Sequence, residues 1–146
     1  MEPIIFIPGL NCTGDLFRDQ LSELGAERTV RLADHTQDDS ISEIAARLLR
    51  ETQEERFCLV GLSMGGYIAL ETFRQAPDRV ARLALLDTSA RADPPEAKEG
   101  RMNFIEMARA GRFDEVCAIL WGRFVAEDRL DDEELKQRVM AMARDT

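Results

Sequence analysis

Gly61-Leu62-Ser63-Met64-Gly65 has the Gly-x-Ser-x-Gly spacing, and Ser63 is the residue in this chain best placed for covalent chemistry. A serine at the tip of a sharp turn between a strand and a helix takes a strained backbone conformation that lifts its hydroxyl above the sheet. Residues two before and two after then lie close to it, so only small ones fit. A serine at a helix start also has unpaired N–H groups and the positive dipole end beside it, which favour a developing oxyanion. The chemistry this suits is acyl transfer through a serine nucleophile. A hydroxyl needs a base to take its proton, and His35 is the single imidazole in the chain. Cys12 and Cys58 have no adjacent base in sequence and are not read as nucleophiles. No G-x-G-x-x-G, Walker pattern or ligand-spaced His cluster is present, so nucleotide, cofactor and metal readings are set aside.

The pattern is weak alone; what strengthens it is its setting. Phe57-Cys58-Leu59-Val60 is an apolar run fit for a buried strand, and Tyr67 to Phe73 follows with apolar residues at helical spacing. Upstream, Ile4-Ile5-Phe6-Ile7 ended by Pro8-Gly9 reads as a strand buried on both faces. Phe17, Leu21 and Leu24 mark a helix capped by Asp15 and stopped by Gly25. Thr29 to Leu32 is a short second strand leading to Asp34-His35. Ser40-Ile41-Ser42-Glu43 has capping-box spacing ahead of a stripe through Ile41, Ile44, Ala45, Leu48 and Leu49. Val80 to Leu86 gives a fourth strand closing on Asp87-Thr88-Ser89.

Strands alternating with helices imply right-handed crossovers and a mainly parallel sheet with helices on both faces. Ligands of such sheets bind at the carboxyl ends of the strands. Pro8-Gly9-Leu10, His35, Ser63 and Asp87 all fall at that edge. After Pro94-Pro95 only helices are expected: a stripe of Phe113, Val116, Leu120 and Phe124, another of Leu135, Val139 and Met142 behind the acidic Asp131 to Glu134, and a less regular one at Met102, Ile105 and Ala108. The division is therefore 1–90 for the sheet and its helices and 91–146 for a helical region. Trp121, Phe113, Phe124, Met102, Met107, Met140 and Met142 are candidates to line an acyl pocket, although apolar stripes at helical spacing are more often core.

With 146 residues the chain can bury a core of its own. A net charge of −9 argues against nucleic acid or an anionic membrane as partner. Cys12, Cys58 and Cys117 have neither disulfide-framework nor zinc spacing and read as buried thiols in a reducing compartment. No leader or membrane-length apolar run is evident at the start, so the expected location is cytoplasmic.

On these residues the chain resembles the amino-terminal part of an α/β-hydrolase, of the small esterase-like kind with a helical cap. The resemblance rests on Ile4 to Leu10 as strand and oxyanion loop, Gly61 to Gly66 as nucleophile elbow, and Val80 to Thr88 as the next strand. It implies a small ester or related acyl substrate, an acyl-enzyme on Ser63, and no cofactor. It also implies an oxyanion held by the backbone N–H groups of Leu10 and Met64, with Gly9, Gly61 and Gly65 as structural glycines. In the family the triad runs Ser, acid, His in chain order, whereas His35 precedes Ser63. The expectation is that residues 1–146 are a truncated form whose triad acid and His lie outside.

Two further assignments stay secondary. His35 follows the strand expected two positions from the serine strand, so the favoured reading is a pocket-rim histidine ordered by Asp34, with general base as the alternative. Asp87 stands where some relatives carry the triad acid; a cap on the following turn, or a bond to loop amides, is the plainer role. Rival readings are a non-catalytic hydrolase-like binding module, and a thioesterase, acyltransferase, carbon–carbon hydrolase or haloperoxidase on the same site. If no further strand pairs with the sheet, its open edge predicts a homo-oligomer.

Overall fold

A computed structural model describes residues 1–146. The chain divides into two compact units, Met1–Ala90 and Arg91–Asp145. In the first, strands β1 (Ile4–Ile7), β2 (Val30–Leu32), β3 (Phe57–Leu62) and β4 (Val80–Leu86) form one sheet in the order β2-β1-β3-β4. Every pairing is parallel: Ile4 lies opposite both Val30 and Cys58, and Leu62 opposite Leu86. All four carboxyl ends therefore open on the same edge of the sheet.

Side chains of a strand alternate between faces, and in β1 both faces are covered. Ile5 and Ile7, with Phe57 and Leu59 of β3, pack against Ile44, Ala45 and Leu48 of α2 (Ile41–Glu51) and Ile68 and Ala69 of α3 (Met64–Gln75). On the opposite face Ile4, Phe6 and Cys58 meet Phe17 and, less deeply, Leu21 and Leu24 of α1 (Arg18–Gly25). The Phe6 and Phe17 rings lie 4.9 Å apart. A strand buried on both sides must be apolar throughout, which is why β1 reads IIFI.

Capping follows the sequence at α2 and departs from it at α1. Ser40 Oγ accepts from the Glu43 N–H at 3.2 Å. Its hydroxyl donates to Glu43 Oε2 at 2.7 Å, so the reciprocal half of the box runs to the hydroxyl rather than the Ser40 backbone. Ahead of α1 a short 3-10 turn over Gly14–Phe17 is capped by Thr13, whose side chain accepts from the Asp15 N–H, and α1 itself starts after Phe17 with no side-chain cap. The expected cap, Asp15, thus supplies the amide instead of the acceptor. Gly25 closes α1 from inside, the cap position being Ala26 in right-handed helical conformation.

Arg79 locks the return from α2 to the sheet. Its guanidinium donates to the carbonyls of Leu49, Thr52 and Glu54 at 2.9, 2.6 and 2.8 Å and lies 5.2 Å from the centre of the Phe57 ring. One fork-shaped cation thereby satisfies carbonyls that the end of a helix leaves open.

The second unit holds α4 (Pro95–Arg109), α5 (Phe113–Phe124) and α6 (Glu133–Arg144), with Asp132 Oδ1 capping α6 through the Leu135 N–H at 2.9 Å. The buried face of α5 is Val116, Cys117, Leu120 and Trp121. Phe124, expected on that stripe, is 47% exposed: the stripe turns toward Trp121, whose indole N–H is satisfied by the Leu130 carbonyl at 3.2 Å. No helix of the protein is long and apolar enough to cross a membrane.

Candidate active site

Ser63 links the last residue of β3 to the first of α3 at φ 52° and ψ −115°. L-residues rarely adopt positive φ, and a serine held there is strained. Two glycines make the turn sterically feasible. A Cβ on Gly61 would lie 2.3 Å from the Gly65 carbonyl oxygen, and a Cβ on Gly65 would lie 2.0 Å from the Ile7 oxygen and 2.6 Å from the Pro8 oxygen. From the motif alone, the demand for small residues lies beside the serine. The structure places it between backbones, where α3 crosses β3 and the end of β1.

The turn is also held from β4. The Ser63 N–H donates to the Leu86 carbonyl at 2.9 Å, and the Thr88 hydroxyl donates to the Ser63 carbonyl at 2.7 Å. Leu86 and Thr88 thus engage the two sides of one residue, and Asp87 between them turns the chain at φ 42°. Aspartate accepts that region more readily than most L-residues. The same Thr88 side chain lies over Gly66, where an added Cβ would meet its Oγ1 at 2.4 Å and its Cγ2 at 2.5 Å. Neither Thr88 nor Gly66 was assigned a task from the sequence. The available signal was the polar Asp87-Thr88-Ser89 cluster directly after a strand that must neighbour the serine strand.

Two backbone N–H groups beside the elbow are left open. Met64 opens α3, so its N–H has no partner within the helix, and the Leu10 N–H donates to no backbone acceptor among the turns and loops. Gly9 brings the Leu10 loop against the elbow: a Cβ there would lie 3.4 Å from Ser63 Cβ and from the Leu62 carbonyl oxygen. Asn11, next in that loop, has φ 58°. The Cys12 thiol bonds the Leu10 carbonyl at 3.4 Å, and burial pushes its pKa up, leaving it a poor thiolate. Cys12 is only half-buried, unlike Cys58 and Cys117; all three are free thiols.

The two secondary candidates are set apart. His35 follows β2, and β1 lies between β2 and the serine strand. The imidazole is buried, which lowers its pKa and favours the neutral ring, opposed weakly by the Asp34 charge. Asp34 does not bond it: Asp34 Oδ1 accepts from the Thr36 N–H at 2.9 Å and from the Thr36 hydroxyl at 2.7 Å. Asp87 shares the sheet edge with Ser63 but is exposed, and the side-chain bond to the Ser63 carbonyl comes from its neighbour Thr88. No group of three or more His, Cys, Asp or Glu is placed to hold a metal ion.

A strained serine between a parallel strand and a helix, facing a glycine-bearing loop from the first strand, is a recurrent arrangement. An esterase from Thermogutta terrifontis superposes with a TM-score of 0.83 at 27% identity over 98% of this chain. A hydrolase from Pseudomonas aeruginosa gives 0.79 at 23% over 97%, and an enol-lactonase from Burkholderia xenovorans 0.80 at 23% over 99%. The chain spans 58% of the length of each of these three structures. No curated protein matches it. The family model described as the alpha/beta hydrolase fold matches residues 2–145, and with nearly its whole length inside that match, the chain belongs to the α/β-hydrolase fold family.

Proposed function

We propose that this chain carries the nucleophile and the oxyanion donors of a serine hydrolase acting on a small ester or related acyl substrate. The observation that carries the reading is the backbone of Ser63, held at φ 52° at the head of α3. A strained serine at a helix N-terminus, with open N–H groups on both sides, has little purpose except to present its hydroxyl. The esterase and lactonase among the structural neighbours favour an ester-type substrate.

In this reading Ser63 Oγ forms a bond to the acyl carbon, and the carbonyl oxygen takes negative charge between the Met64 and Leu10 N–H groups. Each such donor is worth about 3 kcal/mol of transition-state stabilisation. The bond to the leaving alcohol then breaks as that alcohol receives the proton Ser63 gave up, and water releases the acid in a second step. His35 is not assigned the proton, because an entire strand separates its loop from the elbow; the base and its orienting acid are assigned to groups outside residues 1–146.

The test is covalent labelling with a fluorophosphonate probe, which reacts with an activated serine. Labelling that is slow, because the base is not among these residues, and that disappears in Ser63→Ala is the expected result. A wild-type protein that labels no more than Ser63→Ala would overturn the reading and favour a hydrolase-like binding module. That alternative draws on one observation, the exposed apolar edge strand β4, where Leu83, Leu85 and Leu86 are 36 to 41% exposed.

A further inference from the structure

The geometry points to Thr88 as a positioning residue for Ser63, an inference that rests on reading Ser63 as the nucleophile. A backbone at φ 52° relaxes unless its surroundings over-determine it. Beside the close packing of Gly61 and Gly65, three hydrogen bonds hold the residue: the Ser63 N–H is fixed by the Leu86 carbonyl at 2.9 Å, and the Ser63 carbonyl receives the Gly66 N–H at 2.9 Å and the Thr88 hydroxyl at 2.7 Å. The first two are backbone bonds that any sequence could make. Only the third depends on a side chain, and it comes from 25 residues away in sequence.

Thr88 acts through two atoms at once. Its hydroxyl holds the serine carbonyl, so the peptide between Ser63 and Met64, which carries the Met64 N–H, cannot rotate freely. Its methyl and Cβ lie over Gly66, where nothing larger than hydrogen fits, so the threonine is seated against the first turn of α3. The positive φ of Asp87 lets Leu86 and Thr88 grip the same serine from both sides. Thr88 touches no substrate in this scheme; it fixes the direction of the nucleophile and of one oxyanion donor.

Thr88→Val keeps the shape and removes the hydroxyl, and Thr88→Ser keeps the hydroxyl and removes the methyl. Amide hydrogen exchange in the 146-residue protein reads the elbow directly. Thr88→Val should speed exchange of the Gly66 amide about fivefold relative to the buried α3 amides of Ile68 and Ala69, the loss of one ordinary hydrogen bond. Thr88→Ser should return it to near the wild-type ratio. Equal acceleration at Gly66, Ile68 and Ala69 would show a general loss of stability and refute the inference, as would a serine variant no better than the valine. Fluorophosphonate labelling of Ser63 should fall with the same order of variants. Failure of the wild type to label refutes the nucleophile reading by itself, while the exchange ratio still decides whether Thr88 holds the turn.

Discussion

Gly65→Ala is the sharpest test of the packing argument at the elbow. The added Cβ would sit 2.0 Å from the Ile7 oxygen, 2.6 Å from the Pro8 oxygen and 2.7 Å from the Ile7 carbonyl carbon, where ordinary contacts begin near 3.4 Å. All three atoms are backbone. Ile7 is fully buried and paired with Gly61, so relief requires moving the end of β1 or the start of α3 by more than an ångström. Overpacking in a core costs roughly 1–3 kcal/mol and occasionally more; a backbone clash belongs at the upper end, about 3 kcal/mol. At a urea m-value of about 2 kcal/mol per molar, the unfolding midpoint followed by far-ultraviolet circular dichroism should fall by about 1.5 M. Gly100→Ala is the matched control. Gly100 lies inside α4 with no atom within 4 Å of an added Cβ, so alanine there should stabilise by about 0.5–1 kcal/mol through helix propensity. A Gly65→Ala midpoint within experimental scatter of the wild type would refute the claim that backbone contact dictates this glycine.

Three further outcomes follow from particular contacts. Arg79→Ala strands three carbonyls that one guanidinium now satisfies, and should cost about 3 kcal/mol in urea unfolding; Arg79→Lys should not rescue it, since an ammonium lacks the fork, and full rescue would count against the clamp. The Glu71 carboxylate is held down to about 2 by Arg74, then Gln75, with Ser42 adding a further bond. Its folded pKa lies below the unfolded value near 4.5, so the stabilisation is present above pH 4.5 and is lost as pH falls toward 2. Glu71→Gln should therefore lose less stability than wild type across that window, and parallel acid-unfolding curves would reject the assignment. Finally, β4 pairs only with β3 and exposes Leu83, Leu85 and Leu86, an edge that favours self-association; Leu85→Lys should lower the mass seen by light scattering, whereas a wild-type monomer at all concentrations would end the idea.

The parts of the fold that sequence made legible are those decided within a few residues. Ser40 and Glu43 are three apart and cap α2; Ile44, Ala45 and Leu48 repeat at the helical period and are buried; the apolar run of β3, its glycines and the helix behind them locate the elbow. Distance in sequence marks where the reading stops. Val80 to Leu86 is apolar apart from Arg82, yet only Val80 is buried and Arg82 to Leu86 are exposed, because hydrophobicity records what a strand is fit to pack against and not whether a neighbour is there. Phe124 fails for a related reason: a helical stripe names a face, but Trp121 and its bond to Leu130 decide how that face is turned.

The elbow itself shows how the hidden half could be reached. Its sequence signature concerns residues 61–65, but the conformation is held by Ile7, Pro8, Leu86 and Thr88, each from another strand end. Strand order brings these ends together, and order cannot be read from a motif. Once β4 is placed beside β3 with Leu62 opposite Leu86, Ser63 must stand next to Asp87. A regular parallel ladder would give the Ser63 carbonyl the Thr88 N–H; with Asp87 at φ 42° the chain leaves the ladder there, and the carbonyl takes the Thr88 hydroxyl instead. Leaving the ladder takes a residue tolerant of positive φ, and the replacement bond takes a hydroxyl; Asp87-Thr88 supplies both. Asp87 therefore matters here for its backbone, and Asp87→Asn should preserve Gly66 exchange and Ser63 labelling. Substitution by valine, which resists positive φ, should disturb both; an asparagine variant as impaired as the valine one would return the role to the carboxylate.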